Sequence, residues 1–147
     1  MENFMIVQLN HHNYLQHISG VMTCLKRFGD NDISFASANS VMTKKIDNGD
    51  VILVYKEDGD TVATASMLVE WKLIHGGSKV GHIEDVATRE GFEGKGYASQ
   101  LIKELKNMAK IIGCYKVILN CSPENEPFYE KHGFYTNEYG MRYDAQD

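Results

Sequence analysis

Periodicity along the chain predicts an α/β (α+β) fold, a mixed twisted sheet with helices on both faces. Apolar residues recur at helical spacing near the N-terminus and again after a glycine-rich loop. Runs of β-branched and aromatic residues lie between them, bounded by turn signals. Helices and strands intersperse along the chain instead of segregating, so the helices are laid on a sheet.

Taken in order, Phe4 to Leu9 reads as a first strand. From Tyr14 to Phe28 the residues Leu15, Ile18, Val21, Met22 and Leu25 form a helical stripe. A second helix spans about Phe35 to Ile46 and ends before Asn48-Gly49. Val51 to Tyr55 is a short apolar run and reads as a buried strand, with Asp58-Gly59 a hairpin turn after it. Thr61 to Ile74 follows as a long strand, broken by Gly76-Gly77, and Val80 to Thr88 as the next. The loop Gly91 to Gly96 opens the clearest helix, where Ala98, Leu101, Ile102, Leu105, Met108, Ala109 and Ile112 share one face and Gly113 is the C-cap. Tyr115 to Cys121 reads as a strand, Asn125 to Lys131 as a short helix, and Phe134 to Tyr143 as one or two closing strands.

A length of 147 residues fits one domain over the whole of 1–147. A net charge of −5 argues against nucleic acid as the main partner, though it leaves room for a local basic pocket. No run approaches the roughly 20 apolar residues that span a bilayer, and Met1-Glu2-Asn3-Phe4 lacks the pattern of a secretion signal. Three cysteines, Cys24, Cys114 and Cys121, are odd in number and widely spaced. They indicate a reducing compartment without a disulfide framework, with the cytoplasm as the expected location.

The strongest local signal is a strand, then Glu93-Gly94-Lys95-Gly96-Tyr97-Ala98, then a helix. Glycines let several N–H groups turn toward one point. The helix start adds unpaired donors and the positive end of its dipole, which suits a pyrophosphate, and Lys95 adds a mobile charge. Alone, the pattern is equally compatible with a plain turn. It lacks the third glycine of a dinucleotide fingerprint and the Gly-Lys-Ser/Thr ending of a Walker loop.

Two further segments accompany this loop, with Gly81-His82-Ile83-Glu84-Asp85-Val86-Ala87 before it and Gly113 to Cys121 after its helix. A third, Asn125-Glu126-Pro127-Phe128-Tyr129-Glu130-Lys131-His132-Gly133-Phe134, comes last. In this order and spacing they resemble the GNAT superfamily of acetyltransferases, and within it the eukaryotic-type glucosamine-6-phosphate N-acetyltransferases. The match is close from Lys72 to Phe134 and weaker before it. The resemblance implies a sheet splayed at its central strands, a homodimer, no metal, and acetyl transfer from acetyl-coenzyme A to glucosamine 6-phosphate on the way to UDP-N-acetylglucosamine. It implies that pantetheine lies along Val86, Ala87 and Thr88 and that the pyrophosphate rests on amides of Gly94, Lys95, Gly96, Tyr97, Ala98 and Ser99. Asn125 and Tyr129 would then line the other side of the coenzyme.

Forming an amide from a thioester requires a neutral amine, a stabilised carbonyl oxygen and a proton for the leaving sulfur. A backbone N–H near Val86 suits the second need and the Tyr129 phenol the third; apart from the resemblance, Tyr129 is a half-buried aromatic on a short helix. The first need is the open one. The family carries a carboxylate before the cysteine of the strand that here reads Leu119-Asn120-Cys121, and the Asn120 amide is not a base. Glu84 or Asp85 then takes the proton, or the acceptor arrives with enough neutral amine and needs only positioning. Alternation sets Glu84 and Asp85 on opposite faces of their strand.

For the acceptor's phosphate, Lys72-Leu73-Ile74-His75 matches a family segment that contacts the sugar phosphate. The family's C-terminal arginine falls at Asp144 here, leaving Arg142, Lys26 and Arg27 as candidates. Glu93 stands where the superfamily has Arg or Gln, which lowers affinity for the coenzyme without abolishing it. Val86 and Asn120 complete the acceptor set. The rival readings are an acetyltransferase for another small amine or a protein N-terminus, and a non-catalytic acyl-coenzyme A binding module. His11, His12 and His17 read as surface histidines, and Cys121 beside His132 as a buried thiol with a solvated histidine. Tyr135, Tyr139 and Tyr143 read as sheet packing or a subunit contact.

Overall fold

The structure, a computed structural model, describes residues 3–28 and 32–146. Met1, Glu2 and the side chain of Arg27 lie outside the described residues. Five strands, β1 (Phe4–Gln8), β2 (Val51–Glu57), β3 (Asp60–Trp71), β4 (Lys79–Thr88) and β5 (Cys114–Ile118), form one sheet in that order. β1 to β4 are antiparallel neighbours, and β5 joins β4 in parallel. The parallel step needs a crossover, which is helix α3 (Tyr97–Ile112), numbered after α1 (Ile18–Leu25) and α2 (Phe35–Asp47). A short α4 (Glu126–Glu130) follows β5. The single N-terminal helix expected from Tyr14 to Phe28 is three pieces, with 3₁₀ turns Tyr14–His17 and Lys26–Phe28 flanking α1.

Local chemistry explains where these elements stop. The Ser34 hydroxyl accepts from the Ser37 amide at 3.1 Å and caps α2, and Gly113 ends α3. Asp58 and Gly59, at φ of 49° and 89°, make the tight β2–β3 turn. Alternation along β2 sends Leu53 to the α3 face and Ile52 and Val54 to the α1–α2 face. On the first face Ala65, Met67 and Ile83 meet Leu101, Ile102 and Leu105. On the second, Ile18, Val21 and Met42 cover the sheet.

Three expected boundaries differ. β3 stops at Trp71, short of Ile74, because the chain turns and the Lys72 amide donates to the Ser78 carbonyl at 2.8 Å. β5 stops at Ile118 instead of Cys121. Residues 134–146 form no strand, although Phe134 to Tyr143 reads as closing strands. A strand needs an edge to pair with, and this segment passes beside Asn120, beyond the end of β5. Its Tyr139 and Met141 are 98% and 97% exposed.

Candidate active site

The shortness of β5 creates the site. β4 and β5 are paired only from Lys79↔Cys114 to His82↔Ile118. From Ile83 to Ala87 the outer edge of β4 faces no strand among the described residues. Main-chain donors and acceptors on that edge remain for a ligand to use.

β4 also bulges here. Ser66 pairs with Glu84 and Thr64 with Ala87, so Ala65 stands opposite both Asp85 and Val86. Asp85 takes the left-handed φ of 52°. The bulge corrects the alternation expected for the two carboxylates. Glu84 shares the face of its partner Ser66, and Asp85 lines a cavity with Thr64 and Ser66. Both therefore lie toward the α1–α2 side.

That cavity, about 440 Å³, lies between the helix pair and the sheet. Its charged lining residues are Asp32, Lys45 and Asp85. Lys45 Nζ lies 3.4 Å from Asp85 Oδ2. The sequence reading missed Lys45. Its signal was position: Ala38, Met42 and Lys45 follow one another at helical spacing, so a cation sits on the buried stripe of α2.

A larger cleft of about 830 Å³ passes along the open edge, and Glu84, Asn120 and Tyr129 all line it with His82 and Cys121. Tyr129 packs edge-on against Phe128 and Phe134. Burial pushes its phenol above the usual range, and the Cys121 thiol adds to this. The phenol therefore keeps its proton at neutral pH and can donate it. His82 Nε2 is 2.9 Å from Glu70 Oε1, a contact that holds the Glu70 carboxyl below its ordinary range, with Lys72 adding a smaller pull.

Gly91, Gly94 and Gly96 adopt φ of 91°, 78° and 84°, and Gly96 caps α3 with no side-chain bond. A Cβ placed on Gly94 or Gly96 would meet nothing within 4 Å, so the space before these amides is open. This loop fits a pyrophosphate. The Glu93 carboxylate accepts from the Gly91 amide at 2.9 Å and so turns back to close the loop. Lys95 Nζ lies 5.1 Å from the Phe92 ring centre. Tyr97 donates to Glu57 at 2.7 Å, Ser99 bonds His132 at 3.1 Å, and Ala98 lies between them in the first turn of α3. Asn125 is exposed at the start of α4.

The remaining expected residues do not converge here. Lys72, Leu73, Ile74, His75 and Arg142 line neither the cavity nor the cleft. Lys72 pairs with Glu70 at 3.4 Å, His75 stacks on Tyr115 at 4.1 Å, and Arg142 bonds Asp144 at 2.6 Å. Two expectations reverse: Cys121 is exposed, and His132 is 8% exposed because α4 folds it onto α3. His17 is buried rather than superficial, its Nδ1 2.9 Å from the Asn13 carbonyl. His11 pairs with Asp47 at 2.8 Å.

Among the described residues no helix is long and apolar enough to cross a membrane. The chain is 41% identical over 93 residues to a glucosamine 6-phosphate N-acetyltransferase of Trypanosoma brucei brucei, covering 63% of each. It is 46% identical over 82 residues to the Candida albicans protein of that name, covering 56% of this chain and 55% of the other. The matched part thus spans between half and two thirds of these relatives. Over nearly the whole length, the crystal structure of glucosamine-6-phosphate N-acetyltransferase from Arabidopsis thaliana superposes with a TM-score of 0.84 at 30% identity, covering 98% of this chain and 99% of that one. The pattern of the acetyltransferase (GNAT) family matches residues 22–134, and with the parted strands and the glycine loop in place, the chain belongs to that family.

Proposed function

We propose that the chain, as one domain over 1–147, transfers acetyl from acetyl-coenzyme A to the amine of D-glucosamine 6-phosphate. The observation that carries this is the parting of β4 from β5 beside an open glycine-lined helix start. The similarity to glucosamine 6-phosphate N-acetyltransferases supports the choice of acceptor. The coenzyme supplies an acetyl group activated as a thioester. The β4 edge at Val86, Ala87 and Thr88 holds its arm, and the amides from Gly94 to Ser99 hold its pyrophosphate, with Asn125 and Tyr129 opposite. Glu84 or Asp85 takes one proton from the acceptor ammonium, directly or through water, and passes it to solvent, or the acceptor binds as the neutral amine and needs only positioning. The amine lone pair then attacks the thioester carbon and forms the C–N bond. As the C–S bond breaks, the Tyr129 phenol protonates the departing sulfur, and the extra proton on the new amide nitrogen returns to the phenolate, directly or through water. Asn120 orients the amine.

The acceptor's phosphate is assigned to Lys72, His75 and Arg142; since they line neither the cavity nor the cleft of one chain, this assignment calls for a second copy of the chain. Leu73, 99% exposed, and Ile74, Tyr139 and Tyr143, also exposed, support such a homodimer. Odd, unbridged cysteines support a cytoplasmic setting.

A second reading rests on one observation: the cavity at Asp85 is lined chiefly by apolar side chains such as Ile18, Val21, Met22 and Met42. An acceptor amine with an apolar portion fits that lining. Thiol release measured over a panel of amines separates the two. Strong preference for glucosamine 6-phosphate supports the sugar reading, and preference for an apolar amine replaces it. Coenzyme binding without turnover of any amine leaves only a binding module.

A further inference from the structure

The cavity contains a charge that the proposed chemistry leaves unused. Lys45 projects from α2 to within 3.4 Å of the Asp85 carboxylate, and both line the cavity between the helix pair and the sheet. Asp85 immediately precedes Val86, so an amine poised for a thioester held on that edge lies next to Asp85. The charged groups that line this cavity are Asp85 from β4, Asp32 before α2 and Lys45 from α2, while His82 and Glu84 from β4 and Tyr129 from α4 line the cleft along the open edge. β3 contributes only Thr64 and Ser66.

The two cavity carboxylates, Asp32 and Asp85, stabilise the ammonium form of an amine bound beside them. That form binds well and does not react. Asn120 lines the cleft, and its amide cannot take the proton. A fixed ammonium nearby acts in the opposite direction. It neutralises one carboxylate and repels a second positive charge, which favours the neutral amine. The amine of an amino sugar, flanked by electron-withdrawing oxygens, releases its proton before a lysine does.

We infer that Lys45 lowers the pKa of the bound acceptor amine, so that the acceptor reaches the thioester neutral although the Asn120 amide is no base. Lys45 is thus an electrostatic positioning residue, acting on the acceptor through its field and through Asp85. This rests on the proposed acetyl transfer to an amino-sugar phosphate.

Two measurements test it with the full chain, Lys45→Met and Lys45→Arg. The first is calorimetry of glucosamine 6-phosphate binding, with coenzyme A present, in buffers of different ionisation enthalpy near about pH 8, above the sugar phosphate's own titration. N-acetylglucosamine 6-phosphate, which has no amine to titrate, is the control. Wild type and Lys45→Arg release a proton on binding the amine relative to the control; Lys45→Met releases much less. The second is the pH profile of kcat. Its acid limb moves up by about one unit in Lys45→Met, the scale of a neighbouring charge, while KM stays level or falls; Lys45→Arg retains the wild-type limb. A purely structural role lowers kcat equally at all pH and leaves the limb in place, which overturns the inference. Equal proton release in wild type and Lys45→Met overturns it too. A wild-type chain that neither binds nor acetylates the sugar phosphate refutes the proposed function instead, and this inference falls with it.

Discussion

The Ser99 hydroxyl and Nε2 of His132 lie 3.1 Å apart, and their bond ties the first turn of α3 to the end of α4. The His132 carbonyl also accepts from Lys106 of α3. The loop that fits a pyrophosphate and the helix that carries Tyr129 are therefore tied to each other through α3. Burial, followed by Lys106, Lys103 and Lys131, pushes the His132 pKa below its usual value, so the ring is neutral in the fold.

His132→Ala should therefore weaken acetyl-coenzyme A binding and turnover together. It should also change the pH dependence of stability. The folded pKa lies below the unfolded value of about 6.5, so the unfolded chain binds the proton first. This residue's contribution is full above about pH 6.5 and is lost as pH falls toward the folded pKa. Melting temperatures at about pH 7.5 and 5.5 should differ more in wild type than in the variant.

Tyr129→Phe removes the proton donor and keeps the ring that packs on Phe128 and Phe134. Turnover should fall by about 10²-fold or more, with the melting temperature nearly unchanged. Undiminished kcat in a folded variant would remove Tyr129 from the chemistry.

Gly96→Ala should impair binding more than folding. Gly96 has φ of 84° with open space where a Cβ would go, so the penalty lies in the backbone, about 1–2 kcal/mol. Relaxation of the loop turns its amides away from the anion. Calorimetry should show acetyl-coenzyme A affinity reduced by about tenfold, the equivalent of some 1.4 kcal/mol.

Asn120→Asp restores a carboxylate to the cleft that holds Glu84 and Tyr129. Turnover should be at or above the wild-type rate. Complete loss would show that the Asn120 amide makes a contact no carboxylate can replace.

The sequence alone determined the order of elements as far as α4, the α3 stripe, its Gly113 terminus and the glycine loop, because each depends on neighbours within a few turns. Hydrophobic spacing and turn chemistry are local, and local signals survive without the fold. The tertiary structure decided where β5 ends, that β4 bulges at Asp85, and that Lys45 meets Asp85 from 40 residues away. It also decided that His132 is covered while Cys121 is open, and that the C-terminal residues find no edge to pair with. Those features are set by which distant segments pack together, since a strand ends where its partner does and a charge takes its role from the groups brought beside it.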